Sequence, residues 1–415
     1  MKRGSSSELK PNNHLVHSIK RHGLHIILII LAIVFLELLG KSFLLISIYS
    51  FAIILGALML AWAAESAEMV MSEGLALAIV AWLQVLPEFT IEATIAWAGD
   101  ITNLLANFTG ANRILVGVGW PLVFFTTIFF HWKKTGRFYG ELKLKREHSI
   151  EVIFLFLATA YFFVVYFKKS ITIIDAIILG SVYILYLFVV SKLPHSSRKK
   201  IKRLYNGIPK DIISRKPSKA RLLIFLLFVF GGIMMFISAG PFYRGMLLLA
   251  ATLGLSPFLF VQWVAPFLSE FPEKTSAFYW ASKIKTAPAA MMNLISSKIT
   301  QWTALLALLP IVLSISMKSI SSIPVVGLLS TELMLTIATS LYASIFLMKM
   351  RINFIEASLL FILWAAQFIF VELRSILIGV YFGLAIFEVF VYKNEMLKAM
   401  HSFRYITKKF LLTHR

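Results

Sequence analysis

Apolar runs of membrane-spanning length follow one another along almost the whole chain, at about 24–40, 42–65, 74–98, 103–131, 150–167, 171–191, 222–249, 255–281, 288–316, 323–348, 352–371 and 374–392. A bilayer core about 30 Å thick is crossed by roughly 20 helical residues. In lipid every backbone N–H and C=O needs an internal partner, which leaves helices or closed barrels. Continuous runs without strand alternation specify helices, so the expected fold is an all-α polytopic membrane protein of about 12 transmembrane helices. At 59% hydrophobic, against about 45–50% for soluble domains, the chain has little soluble mass. The first run ends in Glu37-Leu38-Leu39-Gly40 with no small-residue cleavage pattern, and the polar N-terminus ahead of it does not read as a cleavable signal sequence.

The charge is +21, and it is unevenly placed. An even number of spans puts both termini on one side. An inside N-terminus gathers Lys2 to Arg21, Lys133 to Arg146, Lys192 to Arg221, Lys283 with Lys285, Lys349 with Arg351 and the tail from Lys398 to Arg415 in the cytoplasm. The opposite side keeps Lys41, Lys168, Lys169 and Lys318. This satisfies the positive-inside rule and implies contact with anionic headgroups, not nucleic acid. A multi-pass protein of the plasma membrane with cytoplasmic termini is expected. The absence of cysteine excludes disulfides, thiolate metal sites and cysteine nucleophiles. No H-E-x-x-H, phosphate loop or Ser/His/Asp signature occurs in a supporting context, so no enzyme and no covalently bound cofactor is expected.

Within the apolar runs, a Pro-Glu pair occurs twice: Pro87-Glu88 with Asn107 after it, and Pro272-Glu273 with Asn293 after it. A charge at the bilayer centre costs roughly 2.5–3.5 kcal/mol, so two at matching places point to an ion site. Ser72, Glu88 and Asn107 match Ser256, Glu273 and Asn293 at offsets of 184, 185 and 186, and the segment at Asp175 matches that at Glu356 at 181. Five spans separate corresponding elements, and an odd number inverts the topology, as in transporters with midplane sites. The expected organisation is 1–41 as N-terminus and extra helix, 42–192 as the first repeat, and 193–221 as a basic linker. A second repeat at 222–371 and an extra helix with tail at 372–415 complete it.

These motifs resemble the cation/calcium exchanger superfamily, which includes the sodium/calcium exchangers. Its repeat runs G-[IVL]-S, then G-T-S-L-P-E, then G-N-x-x-G-S-N. Here stand Leu83-Gln84-Val85-Leu86-Pro87-Glu88 and Asn107 to Asn112 in one half, and Leu253-Gly254-Leu255-Ser256, Leu268-Ser269-Glu270-Phe271-Pro272-Glu273 and Asn293 to Lys298 in the other. The resemblance implies a secondary active antiporter that moves a divalent cation, with calcium foremost, against sodium or protons. It departs at both G-T-S triplets and at Lys298, which occupies the place of the last asparagine. A transport-inactive relative serving as a scaffold, regulator or ion sensor is the alternative those departures suggest.

The expected ion-binding residues are Glu88, Asn107, Asn112, Glu273, Asn293, Ser269, Glu270 and Gln84, with Glu88, Glu273, Asn107 and Asn293 as metal ligands. Proline in a helix frees the carbonyl four residues earlier, here Leu83 and Leu268, and hard oxygens suit calcium. Glu92 lies one turn from Glu88, and Glu270 about one turn from Glu273. They act as extra ligands or a proton relay, or as partners of Lys274, Lys298 and Arg113. Lys298 either stands in for a bound cation or reaches the cytoplasmic interface. Glu65, Glu68 and Glu73 read as a solvated turn rather than a vestibule. Asp175 and Glu356 read as helix caps, and Gly231-Gly232 as a close helix contact.

Overall fold

The computed structural model describes residues 43–44, 46–67, 73–138, 140–192 and 207–409, with the side chains of 73–84 left aside. The run 24–40, Ser72 and Glu68 lie outside these residues, as do the side chains of Gln84 and Glu73.

In the first half α1 (Ile46–Ala67) is followed by α2 (Glu73–Trp97) and α3 (Ile101–Ile114). A π-helical turn, Leu115–Gly119, carries α3 into α4 (Trp120–Thr135). Then come β1 (Glu141–Lys143), α5 (Ser149–Lys168), β2 (Ser170–Ile171) and α6 (Ile173–Ser191). The second half opens with the short α7 (Ile208–Ile213) and the long α8 (Pro217–Thr252). It continues through α9 (Pro257–Ser269), α10 (Phe271–Ser282) and α11 (Ala287–Thr300), and a second π turn, Gln301–Leu305, leads into α12 (Leu306–Ser316). β3 (Ile323–Pro324), α13 (Leu328–Leu347), β4 (Arg351–Asn353), α14 (Phe354–Ile369) and α15 (Arg374–Thr407) finish it.

Eight helices long and apolar enough to cross a membrane lie among the described residues, beside two shorter apolar ones, α9 and α14. Two spans differ from expectation. The run 255–281 is broken: Glu270, at φ −92° and ψ 1°, separates α9 from α10, and Pro272 begins the new helix where its missing N–H costs nothing. The corresponding Pro87 leaves α2 unbroken. There Thr90 Oγ1 donates to the Leu86 carbonyl at 2.8 Å, one turn back along the same helix. The run 374–392 extends helically to Thr407, with a kink at Tyr392, so much of the expected tail is helix.

Several local constructions occur once in each half. Thr172 and Asp175 form a capping box at the start of α6, as Asn353 and Glu356 do at α14, which bears out the reading of both acids as caps. A lysine seven residues earlier closes on each acid, Lys168 on Asp175 and Lys349 on Glu356. The residue after each lysine, Lys169 or Met350, is left-handed at φ 59° or 58°. Each π turn begins eight residues after its asparagine, Asn107 or Asn293. The strands pair crosswise between halves: β1 with β4, Leu142 opposite Ile352, and β2 with β3, Ile171 opposite Ile323.

Helices α1 and α8 meet through glycine. A Cβ on Gly56 would lie 3.1 Å from the Gly231 carbonyl oxygen, and one on Gly231 would lie 3.0 Å from that of Gly56. Gly231 is thus the packing residue, whereas Gly232 has open space beside it.

Candidate cation-binding site

Helices α1, α2, α9, α10 and α11 surround a small cavity lined by Ala57, Glu65, Pro87, Pro272, Glu273, Ser276 and Asn293 among others. Pro87 of the first pair and both residues of the second therefore reach one place. Ser269 lines the cavity too, its Oγ donating to the Pro266 carbonyl at 3.4 Å. Glu65 corrects the expectation of a solvated turn. It lies within α1 and accepts a hydrogen bond from Ser276 Oγ at 2.9 Å, because α1 continues helically past it to Ala67.

Behind the cavity lies a buried polar layer. Glu88 and Glu92 are 3% and 0% exposed, one turn apart on α2. Gln301 Nε2, at the first position of the π turn, donates to Glu88 Oε2 at 2.7 Å and to Glu270 Oε1 at 2.9 Å. One amide thus holds a carboxylate from each half. Lys274 closes the other oxygen of Glu270 as an ion pair, and Ser297 donates to Glu273. Asn107 Nδ2 donates to Glu92 Oε1 at 3.0 Å. Four buried acceptor atoms here, Glu88 Oε1, Glu92 Oε2, Asn107 Oδ1 and Gln301 Oε1, have no hydrogen-bond donor. Undonated hard oxygens beside carboxylates suit a divalent cation.

Lys298 does not reach an interface. It is fully buried, donates to Asn112 Oδ1 at 2.6 Å and to the Asn112 carbonyl at 3.4 Å, and lies 4.1 Å above the Trp302 ring. Asn112 is consequently committed to a lysine, its own Nδ2 bonding the Phe108 carbonyl at 2.8 Å. Of the cations weighed as partners for the acids, Lys274 does pair with Glu270. Arg113 turns away to Glu332, and Glu92 is bonded by an amide.

Among the described residues no three His, Cys, Asp or Glu side chains close round a metal ion in this conformation. Each carboxylate of the cluster is held instead by a protein donor. Gln301, Ser297, Ser276 and Glu65 are functional candidates missed by the sequence reading. Gln301 carried one signal: it follows Asn293 by eight residues, two helical turns along the same face.

Residues 24–192 and 223–372 match the model of the sodium/calcium exchanger protein family. The chain belongs to that family. A solved H+/Ca2+ exchanger, CAX, is 34% identical to it, with a TM-score of 0.82 over 90% of this chain and 93% of the other. The sodium-calcium exchanger NCX_Mj, soaked with 10 mM Na+ and no Ca2+, is 15% identical, with a TM-score of 0.50 over 81% of this chain and 100% of the other. A crystal of it soaked with 100 mM Na+ and 10 mM Sr2+ gives 17%, 0.51, 81% and 99%. At those identities NCX_Mj speaks to the fold alone. No curated protein sequence matches. This exchanger is therefore an integral multi-pass membrane protein of a family of cation antiporters.

Proposed function

We propose that the protein exchanges a divalent cation, calcium, for protons across the cell membrane by alternating access. The observation that carries this reading is the buried cluster of Glu88, Glu92, Glu270 and Glu273, with carboxylate oxygens left undonated beside the cavity. The similarity to a proton-coupled calcium exchanger at 34% identity supports the coupling ion. So does the loss of both G-T-S triplets, whose hydroxyls the sequence resemblance associates with sodium. Carboxylates that bind either a dication or protons make the two cargoes mutually exclusive, which is the requirement for exchange.

The exchanger is built as two inverted five-helix repeats, 42–192 and 222–371, with an extra helix at each end and a basic linker between. The crossed pairing of β1 with β4 and β2 with β3 supports this arrangement, since a two-fold axis in the membrane plane exchanges the two straps. On that axis Asn112 and Lys298 are counterparts, and they touch. Glu88, Glu273, Asn107 and Asn293 supply ligands, with Ser269, Glu270 and the carbonyls near the prolines beside them. The basic loops orient both termini to the cytoplasm.

The test is calcium uptake driven by a pH gradient in proteoliposomes. Wild type should accumulate calcium without sodium. Glu88→Gln and Glu273→Gln should fold, yet lose uptake and calcium-dependent thermal stabilisation. Unchanged stabilisation in both variants removes these carboxylates from the site. A regulator that carries nothing predicts calcium binding with no uptake by wild type.

A further inference from the structure

The proposed two-fold relation pairs Glu151, in the first turn of α5, with Glu332 of α13, and the two carboxylates live in opposite surroundings. Glu332 is completely buried and enclosed by donors. Arg113 and Arg374 (the latter at 2.5 Å) form ion pairs with it, and Gln262 Nε2 donates to it at 2.8 Å. Gln367 Oε1 accepts from Arg113 at 2.9 Å, completing the cage. The repeat offsets place Ile299 where Arg113 would correspond, and Tyr186 where Gln367 would. Glu151 therefore has no cage. It is 7% exposed, and its Oε2 has no hydrogen-bond donor.

The groups around Glu151 are few. Glu147, one turn earlier, brings another negative charge, and buried His148 precedes it by three residues. From α6, Tyr186 stands within electrostatic reach of Glu151, and its ring packs at 5.4 Å on Phe154, which shares the α5 face of Glu151. Tyr183 packs beside Tyr186 at 6.3 Å. No lysine or arginine among the described residues pairs with Glu151. A carboxylate buried without a cation or sufficient donors is costly as an anion and takes up a proton instead.

Beyond Tyr186 the polar trail turns toward the ions. Tyr186 Oη donates to Ser296 Oγ at 3.1 Å, and Ser296 precedes Ser297, the donor to Glu273. We propose that Glu151 is a proton-carrying carboxyl outside the cation cavity, discharging toward α11 through Tyr186 and Ser296. Glu151 gives its proton to Tyr186 Oη as that oxygen releases its own to Ser296 Oγ, which in turn passes its hydroxyl proton on to Glu273. The net change is one proton lost by Glu151, which becomes a carboxylate, and one gained by an acid of the cation cluster as the dication leaves. No bonds other than O–H change. Protons and calcium thereby use separate routes to one cluster, which the shared cavity alone would not provide.

This role rests on the proton-coupled reading above, and one experiment separates the two. Two modes are compared in the same proteoliposomes: calcium uptake driven by a pH gradient, and calcium/calcium counterflow at equal pH, which needs no proton. Glu151→Gln and Tyr186→Phe should slow the first about tenfold or more, the scale of a lost proton-transfer group, and leave the second unchanged. The infrared spectrum of the cation-free protein should lose a carboxylic-acid carbonyl band in Glu151→Gln. Equal loss of both modes, full retention of both, or an unchanged infrared band overturns the role of Glu151. Wild type that performs counterflow but no pH-driven uptake overturns proton coupling itself.

Discussion

At the scale of single residues the site is a contest for donors. Gln301 serves Glu88 and Glu270 with one nitrogen, so Gln301→Leu takes the donor from one oxygen of each carboxylate at once, while Lys274 keeps the other oxygen of Glu270. Leaving a buried acceptor unsatisfied costs about 1–3 kcal/mol. The cation-free protein should lose that much stability in thermal or denaturant unfolding, and saturating calcium should restore part of it, because the dication replaces the missing donor. Equal destabilisation with and without calcium would place Gln301 outside the site. Lys298→Asn removes a buried positive charge that lies within electrostatic reach of Glu88 and Glu270. Divalent cations should bind more tightly to the variant, and superimposable titrations would remove Lys298 from the cation chemistry.

At the scale of elements, the duplicated caps and straps invite matched tests. Thr172→Ala and Asn353→Ala each break one capping box. Each should cost about 1 kcal/mol, and similar losses in chemical unfolding are the expected outcome. The β1–β4 strap adds a pH dependence. Hydrogen bonds from Lys143 and Arg351 hold the Glu141 carboxyl below its ordinary value. Its folded-state value is lower than its unfolded one, so the contribution to strap stability is present at neutral pH. It fades as the pH falls below about 4. Amide exchange in 141–143 and 351–353 should quicken there in wild type, and the Glu141→Gln strap should show no such step. Solvent exposure keeps the effect small.

What the sequence disclosed at this scale follows from its physics. Long apolar runs and the capping residues are local patterns, and among the described residues most of their helices, and both caps, lie where the pattern put them. The break at Glu270, the unbroken path through Pro87 and the bridging role of Gln301 depend on what neighbouring helices offer. The backbone breaks at Glu270 but not at Pro87, and a π turn aims Gln301. Neither is visible in spacing alone. Gln84 remained a candidate on sequence grounds only.

For the whole molecule, α15 is the last helix of the described residues, and ion pairs fasten it at its start and along its length. Arg374 begins it on Glu332, and Glu388 and Glu395 meet Lys349 and Arg351 farther along. Glu332→Gln would leave Arg113 and Arg374 buried without their anion. Breaking such a buried pair costs about 3–5 kcal/mol, so this variant should show the largest loss of thermal stability among those named, with Lys398→Ala, which removes only an exposed pair to Glu395, as the insensitive control.

The contact of Asn112 with Lys298 also decides what each position tolerates. Across the two-fold axis proposed above, the two residues face each other as counterparts. An asparagine tolerates its own image, since an amide both donates and accepts. Lysine does not, because two ammonium groups would face each other in a dry interior. Asn112→Lys creates that encounter with Lys298, whereas Lys298→Asn sets two amides face to face. The first should prevent stable folding where the second is tolerated, and equal expression and thermal stability of the two variants would contradict this asymmetry.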